Sequence, residues 1–376
     1  MSLQTPDLPL LDLDEARARL VGLCAPVAAR EALVARVEDG FLAQDAFAPE
    51  DRPAQACAAR DGLACASADL VGVSAFSPAS LMRAPLRVEI GDPLPEGCDC
   101  VVDRACVEAL GPVYAVSHAA APGEGVTRAG EDLRAGALLA RSGARVQAPL
   151  ASLLHAAGLR ATRLRRPALR LVAAASHAGA QTSAFICALL QAAGARVDLC
   201  VAAGRSLEDL RACLDVAGVD ALVSVGGTGA GESDATIAAL RARGTQLAHG
   251  LALAPGSSAA FGLLMGAPVL ALPGRADGAL AAWLALGLPM LRSLAGASAP
   301  PPLEAAPLTR KITSAPGMSE LVLFERVGAG WRPFGAGAQS LDVMARAEGF
   351  LVSPAGSEGL AAGAFVAPLS LRAFCA

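Results

Sequence analysis

The chain has 376 residues, 54% of them hydrophobic and 18% charged, with a net charge of −4 and a pI near 5.7. That length exceeds one ordinary core and predicts about two to four domains, and the acidic balance gives no electrostatic footprint for a nucleic-acid partner. The ten cysteines, in a chain whose amino terminus lacks a basic start, an apolar middle and a small-residue cleavage site, predict reduced thiols in a soluble cytoplasmic protein.

LDLDEARARLVGLCAPV opens the chain with apolar residues at helical spacing and acids early, the pattern of an amphipathic helix. From Phe47 to Gly130, short apolar runs punctuated by DRP, SPAS, GDPLPEG, GPV and APGEG predict a β-rich module. PLASLLHAAGL then predicts a short helix ending at Gly158. The basic cluster of Arg160, Arg163, Arg165, Arg166 and Arg170 reads either as a solvated hinge before a strand or as an anion-attracting patch. Beyond it, LRLVAAA, ARVDLCVA, DALVSV and APVLALP alternate with the helical patterns SAFICALLQAAG, LEDLRACLDVAG, DATIAALRARG and DGALAAWLALGL, which spells a doubly wound α/β domain. The least polar region is interrupted by Pro268, Pro273, Gly274, Asp277 and Pro289, so a buried strand, loop and helix is expected there and no membrane span. ASAPPPLEAAP reads as a linker. SELVLFERV, WRPFG, GFLVSP and AFVAPL close the chain as the strands of a small β-barrel.

The expected organisation is therefore a multi-domain α/β chain. Residues 1–46 and 130–165 form a discontinuous helical domain, interrupted by the β-rich module at 47–129. The α/β domain covers 166–297 and the barrel 298–376.

The stretch SVGGTGAGESDAT lies where a strand of that α/β domain hands over to a helix, the place where open sheets bind ligands. No Gly-Lys-Ser/Thr follows, so it is not a Walker loop, and Asp234 takes the position of the third glycine of a dinucleotide fingerprint. Gly226, Gly227, Gly229 and Gly231 let backbone N–H groups approach an anion. Ser233 or Asp234 caps the next helix, or Asp234 holds a divalent cation that bridges to phosphate. Cys57, Cys65, Cys98, Cys100 and Cys106 match no usual zinc spacing and read as small buried residues.

This loop resembles the S-x-G-G-x-S-x-G-x-x-D loop of molybdopterin molybdotransferases, the family called MoeA in bacteria and the gephyrin E domain in animals. Further motifs agree in order. ARDGLA resembles M-D-G-Y-A, and IGDPLPEGCDCVV resembles T-G-A-P-x-P-x-G-A-D-A-V-V. VTRAGEDLRAG is similar to N-x-R-x-x-G-E-D-x-x-x-G, APGSSAAFG to K-P-G-K-P-x-x-F-G, and ALPGRADGAL to G-L-P-G-N-P-V-S-A. The tail AQSLDVMARAEGFLVSPAGSEGLAAGAFV is similar to the closing barrel.

The resemblance implies a MogA-like α/β domain and a homodimer whose cleft lies between the α/β domain of one subunit and the β-rich module of the other. It implies insertion of molybdate into adenylylated molybdopterin with release of AMP, assisted by Mg2+. The alternative is an impaired carrier of molybdopterin or of the finished cofactor. A molybdopterin adenylyltransferase or a recipient molybdoenzyme is the implied protein partner, with neither nucleic acid nor membrane. Carried over by position, Asp61, Asp132 and Asp234 are the carboxylates, with Asp234 at the metal. Gly226, Gly227, Thr228, Gly229 and Ser233 cradle the phosphate, while Pro255, Gly256, Pro273, Gly274 and Arg275 shape the facing loops. This chain departs from the family where T-G-D-E is replaced by Ala174, Ala175, Ser176 and His177, which removes both acids. Ala254 and Ser257 replace the two lysines of K-P-G-K, and Arg275 replaces an asparagine. His177 reads as a surface residue, or as a metal or proton-transfer group.

Overall fold

The computed structural model describes residues 10–36, 39–82, 84–174, 177–204, 206–229, 231 and 234–371. Helix Leu13–Gly22 starts where the Asp12 carboxylate accepts the N–H groups of Asp14 and Glu15 at 2.9 and 3.1 Å. Its Leu13, Ala16 and Leu20, three and four residues apart, are buried in the main core with Trp283, Leu286 and Leu291. The amino-terminal helix is thus part of the foundation under the α/β domain.

The next segments run against the helical expectation. Strands Arg30–Leu33 and Gly40–Leu42 join Ala161–Arg165 and Arg145–Val146 in one four-stranded antiparallel sheet. Helix Ala148–Ala156 packs beside it through Leu154. The arginine-rich stretch is therefore a strand and not a solvated hinge. Buried Thr162 and Leu164 alternate with the arginines at a period of two, a pattern that the charge conceals. Between these paired segments lies the β-rich stretch. It holds two three-stranded sheets, Leu86–Val88 with Gly62–Cys65 and Cys100–Val102, and Ala79–Leu81 with Val113–Val116 and Val107–Leu110.

The α/β unit is a six-stranded sheet in the order Arg196–Val201, Ala168–Ala173, Ala221–Val225, Ala267–Leu272, Ala260–Leu264 and Gln246–His249. The first four strands are parallel and the last two pairings antiparallel. Ala221–Val225 and Ala267–Leu272 are buried along their whole length, as strands covered on both faces must be. From Ala168–Ala173 the chain goes first to one neighbour and then to the other. That reversal puts a crevice at the carboxyl ends of Ala168–Ala173 and Ala221–Val225.

The least polar region forms a buried strand, a loop and a helix as expected, but Pro289 does not end that helix. Ala276–Ala295 is one helical run, with a π turn over Trp283–Gly287 and Pro289 at the start of the helical turns that follow it. A proline is tolerated there because the π turn has already displaced the hydrogen-bond ladder that it would interrupt. By length and composition this is the one helix among the described residues that could cross a membrane, and 83% of its apolar window is buried inside the protein.

The carboxyl-terminal sheet is built on Ser319–Val327, flanked by Gly330–Ala336 and Gly349–Ser353. Alternation divides its central strand between two cores. Leu321 and Leu323 join the main core, and Val322 and Phe324 pack with Trp331 in a separate one. Leu253–Ala254 pairs in parallel with Ser319–Glu320 and ties this sheet to the α/β unit.

Candidate functional site

At the crevice, a cleft of about 460 Å³ is lined by Gly226, Gly227, Thr228, Gly229, Asp234, Pro255, Gly256, Pro273, Gly274 and Arg275, together with Ala174, Ser258 and Asp277. The structure thus brings together most of the residues singled out from the sequence. Ser233 and the side chain of His177 lie outside the described residues. Asp61 and Asp132 do not line the cleft. Both are exposed, and the Asp61 carboxylate accepts the Ile90 N–H at 2.8 Å.

The glycine loop takes its shape from what its carbonyls meet. Gly226 and Gly227 have φ of +90° and +69°, a region that favours glycine. The Thr236 hydroxyl, buried at the start of helix Thr236–Ala242, donates to the Gly226 carbonyl at 2.7 Å, and the Thr236 N–H donates to the Gly227 carbonyl at 3.1 Å. The His249 Nε2 lies 3.0 Å from the Thr228 carbonyl, and the Thr228 hydroxyl lies 3.1 Å from that of Ser258. In a trans peptide the N–H points opposite to the C=O. The N–H groups that follow these carbonyls, those of Gly227, Thr228 and Gly229, therefore turn away from Thr236 and His249, to the side where the loop lines the cleft. Among the described residues none of the three has an acceptor. Such a row of amides is a backbone nest, an arrangement that can receive an anion.

Asp234 does not cap the following helix, whose first position has no side-chain cap. Its carboxylate instead accepts the Gly231 N–H at 3.2 Å and braces the loop from within. A side chain at Gly229 would leave Cβ 2.6 Å from that carboxylate, so the brace in this position needs a glycine there.

Across the cleft, Asp277 is 3% exposed and fully engaged. Its Oδ1 accepts Arg275 Nε at 3.2 Å and the Gly278 N–H at 2.8 Å, and its Oδ2 accepts Arg275 Nη2 at 2.9 Å. Burial pushes this carboxyl up, but the guanidinium and the amide outweigh it and hold the group below its ordinary value. The Arg275 side chain is 79% exposed and stands between the cleft and a second, more apolar cavity of about 580 Å³ lined by Phe185, Leu341 and Met344. Thr182, buried on helix His177–Ala192, donates to the Gly274 carbonyl at 2.8 Å and fixes the facing loop.

Among the described residues no three His, Cys, Asp or Glu side chains group as a metal site, the cysteines of the β-rich stretch included. With Asp277 committed to Arg275, Asp234 is the carboxylate the cleft offers a cation. A magnesium ion bound there would draw most of its oxygens from water and a ligand's phosphate.

Sequence reading missed Thr236, His249, Thr182 and Ser258. Thr236 and Ser258 each lie inside a quoted motif, SVGGTGAGESDAT and APGSSAAFG, but their partners are set by the folded loop. His249 carries no local signal at all, because it meets Thr228 from another strand.

The fold and cleft define a class first: a multi-domain protein built on an open α/β sheet, with a cleft lined by a glycine loop at the sheet's switch point. The particular family follows from comparison with known proteins. Residues 11–158 match the family model "MoeA N-terminal region (domain I and II)", and residues 176–293 match "Probable molybdopterin binding domain". The chain belongs to the MoeA-like family. Two crystal structures of the molybdopterin biosynthesis MoeA protein of Pyrococcus horikoshii superpose with TM-scores of 0.74 and 0.72, at 23% and 19% identity, over 95% of this chain and 98% of theirs. A molybdenum cofactor biosynthesis protein of Pyrococcus furiosus superposes with a TM-score of 0.62 at 15% identity, over 95% and 98%. A Methanocaldococcus jannaschii protein named for molybdopterin biosynthesis is 23% identical over 266 residues, 62% of this chain and 66% of that protein, just under two thirds of its length.

Proposed function

We propose that the cleft holds the phosphate end of a molybdopterin, and that the chain acts in molybdenum cofactor biosynthesis where molybdate enters adenylylated molybdopterin and AMP leaves. The row of loop amides carries this reading, because donors already turned into the cleft bind a phosphate without reorganising. The same donors suit the anhydride between that phosphate and AMP, where negative charge shifts as the bond breaks. Asp234 is the residue to hold Mg2+, which when bound would supply positive charge beside the phosphate. Asp61 and Asp132, remote from their own cleft, are assigned to the cleft of a second copy, in a homodimer. The apolar surface of the module that carries Asp61 supports this, with Phe76 100% and Ile90 70% exposed. An adenylyltransferase would supply the substrate, and a molybdoenzyme would receive the product.

One observation favours a second reading, a carrier that holds the pterin without turnover. The cleft has lost the two acids of T-G-D-E, and Asp277, which could have replaced one, is neutralised by Arg275.

The two separate in an assay of AMP release from adenylylated molybdopterin with molybdate and Mg2+. Molybdotransferase activity predicts release that falls at least about tenfold in Asp234→Ala, the loss of roughly one charged contact. Tight pterin binding without release would select the carrier, and no pterin binding at all would remove both readings.

A further inference from the structure

We infer that His249 is a positioning residue for the anion held by the glycine loop, acting through the peptide that joins Thr228 to Gly229. The inference rests on the reading of the loop as a phosphate site, and concerns what makes that loop competent.

The first two peptides of the nest are secured by Thr236 alone, with its hydroxyl and its N–H. The third is secured from elsewhere. His249 ends strand Gln246–His249, the outermost of the sheet on that side, and is 21 residues from Thr228 in sequence. A carbonyl oxygen can only accept, so the 3.0 Å contact requires the proton on Nε2 and assigns this tautomer as the donor. Because the peptide is planar, holding the Thr228 carbonyl holds the Gly229 N–H as well, on the cleft side. Gly229 needs such a restraint, because it has no Cβ to limit its backbone. Without the imidazole, the Thr228 carbonyl loses the one hydrogen bond that fixes the plane of this peptide among the described residues, and the nest falls from three amides to two. The Thr228 hydroxyl faces Ser258 in the cleft, so the same bond also sets the direction of this side chain. His249 itself does not line the cleft, so its influence passes through the loop and not through contact with a ligand.

The test uses the full chain with inorganic phosphate as probe, followed by the backbone amide resonances of Gly227, Thr228 and Gly229. His249→Gln keeps a donor the same number of bonds from the backbone, while His249→Asn is one bond too short and His249→Leu has no donor. Wild type and His249→Gln are expected to bind phosphate alike, with all three amides shifting on titration. In His249→Asn and His249→Leu the affinity is expected to fall about three- to tenfold, the range of one hydrogen bond, with the Gly229 response lost and those of Gly227 and Thr228 kept. The polar His249→Asn variant serves if the leucine variant does not fold. Undiminished binding in His249→Asn, or a His249→Gln variant as weak as the asparagine one, would overturn the inference while leaving the phosphate site in place. Wild-type protein that shows no amide response to phosphate would overturn the site, and the role of His249 with it.

Discussion

Asp277 sets a pH dependence that can be worked out from its partners. Its carboxyl is held below the ordinary range in the fold and returns to about 3.9 on unfolding. A depressed folded value means that the stabilisation is fully present above the unfolded value, and is lost as the pH falls through the folded one. Asp277→Asn is therefore expected to lower stability at neutral pH by on the order of 1–3 kcal/mol, since the Gly278 N–H and Arg275 lose a charged acceptor. It should also flatten the acid side, so that urea midpoints between about pH 5 and pH 3 fall less steeply than in wild type. At this scale the sequence was readable where chemistry was local. Gly226 and Gly227 occupy positive φ, and so declare themselves as glycines. Asp234 was readable as a residue of the loop but not as its brace, because either direction of its carboxylate satisfies the same spacing. Arg275 and Asp277 stand two apart in sequence, so their ion pair was open to sequence reading, and the buried start of a helix fixes it.

At the scale of elements, the long core helix shows how packing overrides a breaker. Gly287 closes the π turn against Trp283, and a Cβ there would come within 2.0 Å of the indole ring. Trp283 is fully buried and has no room to retreat. Gly287→Ala should cost about 1–3 kcal/mol or more from overpacking, read as a lower thermal midpoint together with a change in tryptophan emission. A midpoint equal to wild type would mean that the helix can shed its π turn at no cost. Pro289 looked like the end of the helix because breakers are judged against a regular ladder, and this ladder is irregular. The parallel strands were legible for the opposite reason, since burial on both faces leaves uninterrupted apolar runs such as ALVSV and APVLAL. Strand Ala161–Arg165 was hidden because its outward positions are arginines, and only the period of two, Thr162 and Leu164, marks it.

For the whole molecule, the unresolved relation is between the cleft and the two acids that do not reach it. Asp61 lies on a module built from short sheets, with a modest core of its own and large apolar side chains in the open, and Asp132 lies just past its end. No pattern within one chain could place them at a site, because the proposed contact is made to another copy. The homodimer makes a definite prediction. If each cleft combines Asp234 of one copy with Asp61 of the other, Asp234→Ala and Asp61→Ala homodimers both lack a complete site. In a mixed dimer one cleft carries both substitutions and the other carries neither. Mixing two inactive variants and allowing subunit exchange should then restore part of the AMP release, and light scattering should give twice the monomer mass before and after mixing. If the acids served their own cleft, every site in the mixed dimer would still lack one of them, and mixing would restore nothing. A monomer mass at micromolar concentration would exclude the shared site, and would leave the exposed Phe76 and Ile90 face for a different protein to cover.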